Sequence, residues 1–263
     1  MNWIEALILG IIQGLTEFLP VSSSGHIELG KAVLGTQSAD NLMFTVIVHA
    51  ATMLSIIVVF RKDIWNLIVQ VFSFKWNEHT RFVVFILISM IPTGIIGLLF
   101  ESEIEGFFQG RIMFVGFMLL ITAAVLFLTR FVKKNDKDIS YLKALLIGIA
   151  QTIAILPGIS RSGATIGTAL LLGVDRNIAT RFSFLMVLPP IAGATLIKLK
   201  DLLQTPAAYN HEITSLGIGF IAAFVSGVIA CSWMLNLVRK GNISYFSIYC
   251  LIIGFIAIGV SVF

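Results

Sequence analysis

Two stretches decide how this chain folds: LPVSSSGH at residues 19–26 and LPGISRSGAT at residues 156–165. Each sets a proline, a glycine and a cluster of hydroxyls into otherwise apolar sequence. Proline disfavours helical backbone in the residue before it, and glycine permits tight turns, so each stretch breaks a helix. The flanks show that the breaks are copies. ALILGIIQGLTEFLPVSSSGH, starting at Ala6, aligns with ALLIGIAQTIAILPGISRSGAT, starting at Ala144. Gly10 pairs with Gly148, Gln13 with Gln151, Pro20 with Pro157, Ser22 with Ser160 and Gly25 with Gly163, a separation of 138 residues (10 to 148) with a one-residue slip on each side of the proline. The match continues more weakly to Phe44 and Phe182, and to Lys62 and Lys200. Two related halves are expected, 1–138 and 139–263.

Only 12% of the 263 residues are charged, 57% are hydrophobic, and the mean hydropathy is +0.97. Soluble domains carry about 25% charged residues, so this is an integral membrane protein. Runs at about 42–60, 82–100, 112–131, 180–197, 215–238 and 245–263 each approach the ~20 residues that span a bilayer. A helix over residues 4–18 would reach only ~22 Å at 1.5 Å per residue, short of a hydrocarbon core of ~30 Å. The segments at about 4–35 and 143–174 are therefore read as re-entrant hairpins. Non-helical backbone at membrane depth is tolerated where it is buried in protein or lines a watery cavity, so each break should face a cavity. The expected fold is an all-α integral membrane protein with an inverted-topology repeat, each half a re-entrant hairpin followed by three transmembrane helices.

Charge sets the orientation. Arg61, Lys62, Lys75 and Arg81, then Arg130, Lys133, Lys134, Lys137 and Lys143, then Arg239 and Lys240, belong on the cytoplasmic side. The loop at 101–111 carries Glu101, Glu103 and Glu105 against Arg111 and belongs outside, as do both termini. Trp65 and Trp76 fit either interface anchors or ordinary packing. With Glu5 in place of a basic start, and no cleavage site, no removable signal peptide is expected. Cys231 and Cys250 lie in apolar runs and read as small hydrophobic residues. No basic patch interleaved with aromatics points to nucleic acid.

Few residues within the membrane can do chemistry. Gln13 and Glu17, four apart, share a helix face. An intramembrane carboxylate is costly and marks a functional site. Glu17 with Gln13 suits a divalent cation completed by a phosphate substrate; a protonated Glu17 bonded to hairpin backbone is the plainer reading. Ser22, Ser23 and Ser24 precede a helix, where serine usually caps, and Ser24 fits that role best. A helix start also offers free N–H groups to an anion. His26 follows the break as nucleophile, as general acid–base, or as a partner activating Ser23. In the second copy, Arg161 offers a planar fork to phosphate, flanked by Ser160, Ser162 and Thr165; its plainer role is an ion pair with Glu17. Arg176 and Arg181 read as positive-inside residues, His49 as core hydrogen bonding near the cavity, Glu5 as solvated, and His79 and His211 as loop residues. Together these residues suit a lipid-linked phosphate or diphosphate, whose tail can stay in the bilayer.

Neither a phosphate-binding G-x-x-x-x-G-K-[ST] loop nor a phosphatidic-acid-type phosphatase pattern is present: six residues after Arg161 stands Gly167 where that pattern has histidine. At QGLTEFLPVSSSGH and PGISRSGAT the chain instead resembles the undecaprenyl-diphosphate phosphatase family linked to bacitracin resistance, along its whole length. The resemblance implies a bacterial inner-membrane enzyme that hydrolyses undecaprenyl diphosphate to the monophosphate and inorganic phosphate, recycling the lipid carrier for peptidoglycan precursors. It further implies a divalent cation (Mg²⁺ or Ca²⁺) and a site facing the periplasm. Glu17, His26 and Arg161 would be its catalytic core, Ser23 a candidate nucleophile, Gln13 a metal or water partner. A homodimer is a further partner the sequence allows. Inverted repeats with broken helices also build transporters, so a flippase for polyprenyl phosphate using the same site is the competing expectation.

Overall fold

The computed structural model describes every residue except 36–40, 101, 102, 105, 109, 110, 133–136, 205–212, 241, 242 and 263; the side chains of 41, 42 and 198–204 also fall outside the description. Glu101, Glu105, Lys133, Lys134, His211 and the Lys200 side chain are thus outside the described residues. The chain is helical throughout: α1 (Trp3–Phe18), α2 (Ser23–Leu34), α3 (Asn41–Val59), α4 (Arg61–Val71), α5 (Glu78–Leu99), α6 (Ile112–Leu128), α7 (Tyr141–Ile153), α8 (Arg161–Leu171), α9 (Arg176–Leu185), α10 (Leu188–Gln204), α11 (Ile213–Arg239) and α12 (Tyr245–Val262). Among the described residues there is no strand, only an isolated bridge between Lys137 and Val174. Among the described residues five stretches are long and apolar enough to cross a bilayer, or six where α3 and α4, bent by 78°, count as one span.

Three features differ from the expectation or go beyond it. The span expected at 180–197 starts at Arg176 and is interrupted by a turn at 186–187, just before Pro189 and Pro190. The second helix of the first hairpin begins at Ser23, because Ser22 caps it. The charged segment after α3 contains a helix, α4. One side of α4 buries Leu67, while Trp65, Ile68, Val69 and Phe72 form an exposed apolar stripe. Three- and four-residue spacing puts those four on one face. Glu5, expected to be solvated, closes a capping box: Asn2 accepts from Ile4 and Glu5 amides, and Glu5 accepts from the Asn2 amide at 2.9 Å.

Helices from the two expected halves pack on each other. α1, which opens the first half, lies along α11 of the second, and α7, which opens the second, lies along α5 of the first. The third long helices of the two halves, α6 and α12, pack on each other. The repeat-paired glycines permit these approaches. A Cβ on Gly10 would fall 2.5 Å from the Gly219 carbonyl oxygen, and one on Gly148 would collide with the Ser89 carbonyl. The breaks consequently touch. A Cβ on Gly25 would lie 3.1 Å from Gly158 Cα, and Ser162 Oγ donates to the Leu19 carbonyl at 3.1 Å. Beneath them Phe184 packs edge-on against Phe18 and Phe60, with ring centroids 5.7 and 6.0 Å apart.

Candidate active site

The two breaks are capped identically. Ser22 Oγ accepts from the Gly25 amide at 3.3 Å, and Ser160 Oγ accepts from the Gly163 amide at 3.0 Å. These are repeat-paired residues, so the duplication preserves the cap as well as the break. Ser22 adopts φ 70°, left-handed backbone unusual for a residue with a side chain. The expectation that Ser24 caps is corrected: Ser24 lies inside the first turn, 3.3 Å from Ser22 Oγ. The second break is tied to α6 by Thr122, whose Oγ1 donates to the Gly158 carbonyl and accepts from the Ser160 amide, both at 3.0 Å.

Between the caps sits a buried polar knot centred on Glu17. Its Oε1 accepts from Arg161 Nη2 at 2.6 Å, and its Oε2 accepts from Ser23 Oγ at 2.6 Å and from Gln13 Nε2 at 3.0 Å. Glu17 is 7% exposed and Gln13 fully buried. The Arg161–Glu17 ion pair, read from sequence as the plainer role for Arg161, is present. Arg161 also donates from Nη1 to the Ser183 carbonyl at 3.2 Å. Thr165 Oγ1 is 2.6 Å from Ser183 Oγ and donates to the Arg161 carbonyl at 2.8 Å. Ser160, Ser162 and Thr165 are buried and hydrogen-bonded within the protein, and so hold the second break in shape.

His26 is not bonded to Ser23. Its Nδ1 lies 2.8 Å from the Ser22 carbonyl and its Nε2 2.8 Å from the Tyr249 hydroxyl. The group that engages Ser23 is Glu17. His49 is the histidine nearest that carboxylate, with Nε2 3.7 Å from Glu17 Oε2 and Nδ1 2.7 Å from the Thr45 carbonyl. Sequence reasoning left His49 in the core and passed over Tyr249 and Ser183. A signal for His49 existed: Thr45, His49 and Thr52 recur at helical spacing within an apolar helix, a polar stripe facing inward. Arg181, read as a positive-inside residue, pairs with Asp63 at 3.3 Å and stacks 4.6 Å over the Phe82 ring, joining α9 to α4 and α5. Cys231 and Cys250 are buried and free.

A carboxylate, a hydroxyl and a guanidinium interlocked inside a bundle of long apolar helices define a multi-pass membrane protein with a buried polar centre. A family model described as bacitracin resistance protein BacA matches residues 6–256. The chain is 54% identical over 261 residues to an undecaprenyl-diphosphatase of Christiangramia forsetii, covering 98% of each. It is 50% identical to one of Bacteroides fragilis over 99% of each, and 37% identical to one of Methanobrevibacter smithii over 97% of this chain and 96% of the relative. The chain belongs to the bacitracin resistance protein BacA family.

Proposed function

We propose that this chain is a membrane phosphatase that hydrolyses undecaprenyl diphosphate to undecaprenyl phosphate and inorganic phosphate. The observation that carries the reading is the contact of Ser23, Glu17 and Arg161 at the junction of the two breaks. Its relatives' shared name supplies the substrate.

Glu17 Oε2 already accepts the Ser23 hydroxyl proton, so it is placed to take that proton as Ser23 Oγ attacks the terminal phosphorus. The phosphorus–bridging-oxygen bond breaks and undecaprenyl phosphate leaves. Water then cleaves the phosphoserine to inorganic phosphate. Protonation of Glu17 removes its negative charge, freeing the Arg161 guanidinium to hold phosphoryl oxygens in a bidentate fork. Positioning and charge neutralisation do most of the work in such a transfer. His26 as nucleophile is the second version, but its Nε2 faces Tyr249.

Among the described residues no three His, Cys, Asp or Glu side chains gather as a metal site. The donors fit a cation that substrate completes. Gln13 Nε2 is fixed on Glu17, which leaves Gln13 Oε1 buried without a hydrogen-bond partner. An orphaned oxygen beside a carboxylate suits a hard divalent cation such as Mg²⁺ or Ca²⁺, which Gln13 Oε1 and the Glu17 oxygen that does not take the Ser23 proton would hold. Bound there, it would neutralise charge on the diphosphate.

The exchange of helices between halves supports an inverted repeat with re-entrant hairpins at 4–35 and 143–174. Arg61, Lys62, Lys75 and Lys143 favour a cytoplasmic side at α4 and the start of α7. The site then opens outward from a bacterial inner membrane, where hydrolysis recycles the carrier lipid for cell-wall synthesis and underlies bacitracin resistance. The test is phosphate release from a polyprenyl diphosphate by the purified chain in detergent. A protein acting only as a flippase releases none, because detergent solution has no two sides.

A further inference from the structure

The geometry around His26 points to Tyr249 as a positioning residue for this site. The Ser22 carbonyl can only accept a hydrogen bond, so the 2.8 Å contact with it puts a proton on His26 Nδ1. In neutral His26, Nε2 then carries the lone pair, and the Tyr249 hydroxyl, 2.8 Å away, must be its donor. A hydroxyl has a further property here: when Nε2 gains a proton, the same oxygen can turn and accept from it. Tyr249 can therefore hold the ring in both charge states.

The placement is built into the fold. Tyr249 lies on α12, 223 residues from His26. Its neighbour Cys250 is fully buried and donates from Sγ to the Pro20 carbonyl, at the first break, at 3.5 Å. One turn further on, Gly254 lets α12 close on α6: a Cβ there would lie 3.0 Å from the Gly116 carbonyl oxygen. The helix is thus fastened beside the tyrosine and again one turn beyond it. The His26 and Tyr249 rings are nearly parallel, 11° apart with centroids 5.6 Å apart. Removing the hydroxyl alone keeps that ring contact. Among the described residues His26 has no hydrogen bond to Ser23, Glu17 or Arg161, so its ring orientation rests on Ser22 and Tyr249.

This role rests on the phosphatase reading and adds to it His26 as a second acid–base group beside Glu17; the tautomer assignment rests on neither. The test is Tyr249→Phe in the full-length chain, purified in detergent, with ¹⁵N-histidine NMR and kinetics side by side and His26→Gln to assign the signal. Expected are a shifted His26 Nε2 resonance with Nδ1 still protonated, and a kcat reduced about tenfold, the scale of one lost hydrogen bond, at nearly constant KM. An unmoved Nε2 signal overturns the contact. A moved signal with full kcat, while His26→Ala is inactive, overturns the positioning role. A wild-type protein that releases no phosphate counts against the phosphatase reading, and the nitrogen signal still decides for or against Tyr249 as the partner of His26.

Discussion

Glu17 and Arg161 stand 144 residues apart in sequence and 2.6 Å apart in space. One lies at each broken helix, so this ion pair joins the two breaks. A buried pair of this kind adds little net stability, but removing one partner leaves an uncompensated charge. Arg161→Gln should therefore abolish phosphate release and destabilise the fold by about 3–5 kcal/mol. Glu17→Gln combined with Arg161→Gln should regain most of the stability and none of the activity. Thermal unfolding in detergent beside a phosphate assay checks both halves of this expectation.

Ser23 should carry the phosphoryl group. Brief reaction with labelled polyprenyl diphosphate, a denaturing quench at neutral pH and peptide mapping should find phosphate in the peptide containing Ser23, and none in Ser23→Ala. Activity of Ser23→Ala should fall by at least about a thousandfold, since the residual catalysis of nucleophile knockouts comes from binding alone. Label on His26 would refute this assignment.

Gln13→Ala removes the orphaned oxygen without touching the charges. We expect it to raise the divalent cation concentration needed for half-maximal activity by roughly tenfold, the lower range for losing a supporting group at a metal site. Chelation should silence the wild-type enzyme reversibly. A Gln13→Ala protein with an unchanged cation titration would remove Gln13 from the metal-binding set.

Gly148→Ala should destabilise the protein by about 1–3 kcal/mol, because the added methyl group drives α7 away from the Ser89 carbonyl. Gly10→Ala should do the same where α1 meets α11. Gly217, where an added Cβ meets nothing within 4 Å, is the control. Denaturation midpoints rank the three.

The exposed stripe of α4 should lie in the membrane interface, where tryptophan rings prefer the headgroup level. In a variant retaining Trp65 as its only tryptophan, lipids brominated near the headgroup should quench fluorescence more than lipids brominated at the chain ends. The opposite order would place α4 at a different depth.

Much of the fold was legible because it depends on local chemistry. Pro20 and Pro157, each with glycine and hydroxyl residues close by, break their helices, Ser22 and Ser160 cap the helices after the breaks, and long apolar runs seek lipid. The breaks and the apolar spans could therefore be read from residue order. Glu17, Ser23, Gln13 and Arg161 were legible as residues that must find polar company, because polar groups in apolar sequence require partners. Which partners they took was not. α4, in a segment rich in charge, was not legible, although the turn at 186–187 has a local signal in Pro189 and Pro190. The exchange of α1 and α7 between halves put Arg161 on Glu17, set His26 against Tyr249 on the last helix, and left His49 rather than His26 nearest the central carboxylate. Sequence determines that a buried charge must be satisfied. Only the tertiary structure decides by which residue, because side chains far apart in the chain become neighbours through helix packing that no local pattern records.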